Sequence, residues 1–292
     1  MTPDIRIAVP GGFLVEQEHM PGWVLVLRGP WRPELADLMK ETGVHFLRLS
    51  QSMGWQPEDL SFLESVPGLR GIEVYHMGVK DLSALHRLPQ LEFIKLQCLG
   101  ELDFSCFPSL QVAGVRWLPG CETLFECENL RFLSVDTGPI EDLQPFAKLK
   151  KLERLQLFTR KLITLRGAEK LPRLRHVRFA DCTSLSDISA LASVRTLEVF
   201  DADTCKKVNS LTPFAGLPRL QKLWLDNCRY VASVKPLEAC PALEEVCLVA
   251  TVVLDGDLNP LLRLRSLSRV ALAQHPTHSH TAAQINQELA DR

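Results

Sequence analysis

The chain has 292 residues, of which 46% are apolar, and 33 Lys and Arg set against 35 Asp and Glu give a net charge of −2. That composition excludes a disordered polyelectrolyte and argues against bulk electrostatic attraction to nucleic acid or to an anionic membrane. About fifty residues are leucine, roughly one in six and well above ordinary usage, so internal repetition is the first property to test.

Residues 1–43 follow no repeat. Arg6–Val9, Phe13–Val15 and Trp23–Leu27 read as strands, with turn signals at Pro10-Gly11-Gly12 and Pro21-Gly22. Pro33 to Lys40 reads as a short amphipathic helix that ends near Gly43. We expect this segment to be an N-terminal α/β cap covering the first edge of a repeat array. The start, Met1 to Arg6, has no basic region leading into an apolar run, and no window of about eighteen residues is continuously apolar. The nine cysteines are odd in number and lack CxxC pairing. They are expected to be reduced thiols in a cytoplasmic protein.

From residue 44 to 275 the chain repeats. Clear units run Leu69-xx-Ile72-x-Val74 and Leu130-xx-Leu133-x-Val135, each followed by apolar residues at every third position. The starts are Leu69, Leu91, Leu110, Leu130, Leu152, Leu174, Leu197, Leu220, Leu243 and Leu267, spaced 19 to 24 residues apart, after a degenerate turn at Val44–Leu49. The alternating half predicts a short strand with one buried face. The period-three half predicts a 3₁₀ turn or a short helix. Pro145, Pro213, Pro236 and Pro260 stand near the start of that second half, where a missing N–H is tolerated. With 2 Tyr and 5 Trp, the core is expected to be aliphatic. Cys182, Cys205 and Cys228 recur every 23 residues at the turn after the strand, and their expected role is packing. They favour a unit start at Leu197 over one at Val194.

These units resemble the leucine-rich repeat superfamily, with internalin-like units of 22 residues and cysteine-containing units of 23 residues. The resemblance implies an α/β solenoid: a curved parallel sheet with short helices or 3₁₀ turns on the convex side. The position that the family fills with a turn-bonding asparagine holds Met77, Leu99, Gly138 or Arg160 in four units, so those turns need other partners.

Residues 276–292 are expected to form a tail, with a helix over 281–292. His275, His278 and His280 cluster before it without the spacing of a strong metal motif, and a solvated turn is the expected reading. The chain contains no phosphate loop, GxGxxG, GxSxG or HExxH motif. We expect no enzymatic activity, no cofactor and no metal.

The outward strand positions then predict a binding surface, which the family resemblance places on the concave face. They include Tyr75, Phe93, Lys95, Arg116 with neighbouring Trp117, Phe132, Arg154, Phe158, Arg178, Asp201, Trp224 and Asp226. Aromatic rings interleaved with arginine are the composition of protein-binding hot spots. Along the sequence the basic residues fall on earlier strands and the acidic ones on later strands, a pattern that would orient a partner. The expected function is a non-catalytic scaffold for a protein or peptide, with neither nucleic acid nor membrane as partner. Alternatives are an inhibitor or immunity-type protein that masks another protein's active site, and a metal- or cysteine-dependent enzyme.

Overall fold

The computed structural model describes residues 6–16, 22–56 and 59–292, which divide into two compact units, Met1–Phe132 and Leu133–Arg292. Pro21 of the expected second turn and the first five residues, where a leader would begin, lie outside the described residues.

The first unit opens with strands β1 (Arg6–Val9), β2 (Gly12–Glu16) and β3 (Trp23–Leu27), each antiparallel to the next. Helix α1 (Glu34–Thr42) buries Leu35 and Met39, four residues apart on one face. It stops at Gly43, whose left-handed conformation lets its N–H bond back to Lys40 and Met39. The chain then becomes parallel. Strands β4 (Phe46–Ser50), β5 (Gly71–Tyr75), β6 (Phe93–Gln97) and β7 (Val112–Arg116) follow β3 in chain order.

The second unit takes up the same pattern inside β8 (Phe132–Asp136), followed by β9 (Arg154–Phe158), β10 (His176–Ala180), β11 (Val199–Asp203) and β12 (Lys222–Asp226). Next come β13 (Arg229–Val231), β14 (Glu245–Leu248), β15 (Thr251–Val253), α2 (Asn259–Leu262), β16 (Arg269–Leu272) and α3 (Ala282–Ala290). Strands β12, β14 and β16 pair in parallel, and β13 and β15 form a separate parallel pair behind them in sequence.

The inward positions are those the repeat assigned. Leu197, Phe200 and Ala202 are all fully buried, which fixes that unit's start at Leu197. The period-three halves are mostly 3₁₀ turns, and Gln144–Lys148, Thr212–Phe214 and Lys235–Ala239 each carry proline in the first turn, as does α2. The core is not purely aliphatic. Phe104, Phe107, Phe146, Phe179, Phe200 and Phe214 take leucine positions and are buried, with ring centroids 6.0 Å apart for Phe179–Phe200 and 4.8 Å for Phe200–Phe214. Phe179 and Phe200 meet across neighbouring units, and Phe200 and Phe214 meet within one.

A ladder of small donors runs behind the strand ends of the second unit. Thr159 donates to the Gly138 carbonyl at 2.6 Å, and Thr251 donates to the Leu225 carbonyl at 2.7 Å. Between them the thiols of Cys182, Cys205 and Cys228 point at the carbonyls of Leu157, Phe179 and Ala202, each at 3.5 Å. Thr159, not Arg160, fills this position, because its unit is one residue shorter than the cysteine units. The neighbouring turn residues Asp181, Thr204 and Asn227 have φ of 54°, 56° and 51°. Their N–H groups donate to the carbonyls of Asp203, Asp226 and Val249 at 2.9–3.0 Å. The turns therefore satisfy their backbone without an asparagine ladder. In the first unit Met77 and Leu99 are 40% and 54% exposed instead.

Candidate functional site

In the first unit the parallel register aligns three outward rows. The row at the strand entries is Val24, Phe46, Gly71, Phe93 and Val112. Glycine at position 71 leaves space that the rings of Phe46 and Phe93 fill edge to face, with centroids 6.3 Å apart. Phe93 is therefore only 4% exposed and belongs to an apolar cluster with Phe13, Val15, Val24, Val26 and Phe46. It does not stand free as the sequence suggested, because the residue opposite it has no side chain.

The middle row is Arg48, Glu73 and Lys95. Glu73 is buried and bonded to the Arg48 guanidinium, with the Lys95 ammonium 3.7 Å away. Lys95 also lies 5.0 Å from the Phe93 ring centroid. Two cations thus share one buried carboxylate, and the charges of this row are compensated internally. Beyond it sits Tyr75, whose phenol is pushed up by burial and by the neighbouring Glu73. Arg116 ends β7 and is exposed. Trp117 lies one residue past the strand, with its ring centroid 6.4 Å from that of Phe125. Phe132 is half-buried at the start of β8.

In the second unit the rows differ. The entry row is Arg154, His176, Val199, Lys222, Glu245 and Arg269. Glu245 lies 3.9 Å from Lys222 and 3.6 Å from Arg269. His176 is 3.4 Å from Glu198, which also takes two hydrogen bonds from Arg175 at 2.8 and 2.6 Å. Burial and the nearby Arg154 hold the His176 imidazole below its ordinary value, against the pull of Glu198.

The middle row is Gln156, Arg178, Asp201, Trp224 and Cys247. Arg178 reaches Asp201 at 3.4 Å. The Asp201 carboxyl is nevertheless raised, first by burial, with Arg178 opposing and Asp203 and Asp226 adding to the rise. Trp224 is half-buried, with the Lys222 ammonium 5.6 Å from its ring centroid. Its indole N–H is buried, with no acceptor among the described residues. The exit row brings Phe158 and Ala180 alongside Asp203 and Asp226, which face one another on adjacent strands. Within this unit the entry row is mostly cationic, with Glu245 set between Lys222 and Arg269, while the exit row carries the carboxylates Asp203 and Asp226. Charge does not simply follow chain order.

No family model matches the chain, and no curated protein matches it by sequence. Solved structures do match. An internalin (InlF) of Listeria monocytogenes superposes with a TM-score of 0.59 at 16% identity, over 91% of this chain and 84% of that one. The mouse RP105/MD-1 complex gives a TM-score of 0.54 at 17% identity, over 78% of this chain and 42% of that one. The TLR13–ssRNA13 complex gives 0.51 at 19% identity, over 78% and 39%. The chain has the leucine-rich-repeat fold.

Within that leucine-rich-repeat sheet Tyr75, Phe93, Lys95, Arg154, Phe158, Arg178, Asp201, Trp224 and Asp226 occupy the aligned rows, and Trp117 lies one residue past β7. Among the outward residues missed are Cys247 and Arg269. They are the fifth position of the unit that starts at Leu243 and the third of the unit that starts at Leu267. The significance of Gly71 needed the cross-strand register, which no single strand contains.

Proposed function

We propose that the chain is a non-catalytic interaction scaffold that binds a protein or peptide on the outward sheet face of its second unit. The observation that carries this reading is Trp224, a large ring left half-buried on the sheet between Asp201 and Cys247, with a buried N–H that has no acceptor among the described residues. Tryptophan beside arginine and aspartate in a preformed surface is the composition of an interaction hot spot. Phe158, Arg154, Arg178, Asp201 and Asp226 are its assigned neighbours in function. Complementarity of shape and charge would do the binding, without covalent chemistry. In the first unit Tyr75, Lys95, Arg116 and Phe132 would contribute less, since Lys95 is already engaged.

The carboxylates at the strand exits and the net charge of −2 weigh against RNA. In this reading residues 1–43 are the cap, 44–275 the array and 276–292 the tail. The nine unpaired thiols support a reducing, cytoplasmic setting.

The test uses the whole chain as bait in a native extract, beside Trp224→Ala/Asp226→Lys and Trp117→Ala. A polypeptide captured by the parent and by Trp117→Ala, and reduced at least about tenfold by the double variant, supports the face. Equal recovery by all three contradicts it. Capture that disappears on ribonuclease treatment and falls steeply with salt would replace the protein reading with an RNA one.

A further inference from the structure

We propose that Gln274–Thr281 is a proton-sensitive clasp, held shut by neutral His278 and released when that imidazole takes up a proton. Strand β15 is paired on one side by β13 and reaches the end of that small sheet on the other. An unpaired backbone donor there is costly. His278 meets it: its Nε2 accepts the Val253 N–H at 3.2 Å. A ring nitrogen can accept only while unprotonated, so this bond requires the neutral tautomer with hydrogen on Nδ1.

The bonds beside it depend on the same placement. The Ser279 N–H donates to the Gly256 carbonyl at 2.8 Å, and the Leu258 N–H donates to the Ser279 hydroxyl at 3.0 Å. Gly256 has φ of 68°, and a Cβ there would come within 2.2 Å of the Thr277 carbonyl oxygen. The segment therefore lies directly on the Gly256 turn. A cleft of about 480 Å³, lined by His275, His278, His280 and Gln284 among others, gives solvent access to the rings.

Protonation would act on two contacts at once. It removes the acceptor for Val253, and it places charge beside His275, whose ring centroid is 5.4 Å from that of His278. On the same segment, His280 is hydrogen-bonded through Nδ1 to the Ser279 hydroxyl. From the facing turn, Asp255 favours the charged form, while the Asp257 carboxylate is held by Asn259 at 2.7 and 3.0 Å. The charges of Arg263 and His280 both lower the Asp257 carboxyl further. Burial, followed by the charge of His275, sets His278 below its ordinary value, against the opposing pull of backbone groups at Val253 and Ala273 and of Asp255. A histidine lowered in the folded state contributes stability that is complete above the unfolded value, about pH 6.5, and is lost as pH falls through that value toward the folded one.

Hydrogen exchange at the Val253, Leu258 and Ser279 amides, corrected for intrinsic rates, tests this at about pH 7 and about pH 5. The parent is expected to lose protection at least about tenfold at the lower pH. His278→Gln, which offers an amide oxygen that does not titrate in this range, should keep protection at both. His278→Ala should lack it at both while its circular dichroism matches the parent. Unchanged protection in the parent, a loss in His278→Gln equal to the parent's, or retained protection in His278→Ala would overturn the proposal. Imidazole nitrogen shifts of the unmodified protein near neutral pH add a check that needs no variant. They should show the Nδ1–H tautomer at His278, and the Nε2–H tautomer would refute the clasp.

Discussion

At Gly71 two large rings of the first unit meet over a position without a side chain. A methyl group there would fall 2.3 Å from the Phe46 ring, and overpacking of that kind costs about 1–3 kcal/mol. Gly71→Ala is expected to lower the stability measured by chemical denaturation by that amount, and no loss would mean the rings can move aside. Thr251 makes a second residue-scale case, because its hydroxyl donates to Leu225 and accepts the Cys228 N–H at 3.0 Å while fully buried. Thr251→Val keeps the shape and removes both bonds, so a loss of about 2 kcal/mol is expected on denaturation, against a smaller loss for Thr251→Cys. The thiols are graded too. Burial pushes Cys121 and Cys127 up to about 12 and Cys228 up to about 11. Only Cys106 and Cys247 are other than buried. A thiol reagent applied to the folded protein at about pH 8 should modify those two promptly and spare the rest, with the modified sites read by peptide mapping. Rapid labelling of the ladder cysteines would show that the turns open.

At the scale of elements, strand and turn positions were legible because each unit writes them twice, once as a period of two and once as a period of three. Proline in the first 3₁₀ turn and Gly43 after α1 marked boundaries that the structure keeps. What could not be read from one strand was what stood beside it. Phe93 is buried because of Gly71, and Arg48 and Lys95 are neutralised because Glu73 lies between them. The shift from Arg160 to Thr159 goes with a unit of 22 residues standing beside units of 23. Helix α3 shows how an element can substitute for a strand. The Asn286 amide accepts the Val270 N–H and donates to the Val270 carbonyl, both at 2.8 Å, as a paired strand would. A capping box of Thr281 and Gln284 fixes the helix that carries it. Thr281→Ala should cost about 1 kcal/mol and raise exchange at the Val270 amide as well as in the first turn of α3. If exchange rises in the helix alone, the helix and the strand edge are independent.

Across the whole molecule, the repeat produces two sheet faces of different character from one pattern. In the first unit Phe46 and Phe93 pack together and Arg48 and Lys95 share the buried Glu73 carboxylate. In the second, Trp224 and Phe158 stay half-buried, Arg154 and Arg178 are exposed, and Asp203 faces Asp226 across adjacent strands. Like charges set opposite one another are unfavourable, and a partner that supplies a cation there would relieve them. The candidate face was legible as a set of positions, while its division into engaged and available residues came only from the packing. The most direct measurement is hydroxyl-radical footprinting of the protein alone and with its captured partner. Binding on the outward face of the second unit predicts protection of Trp224 and Phe158, with Trp117 unchanged. Protection confined to the 3₁₀ turns, with Trp224 oxidised equally in both samples, would contradict it.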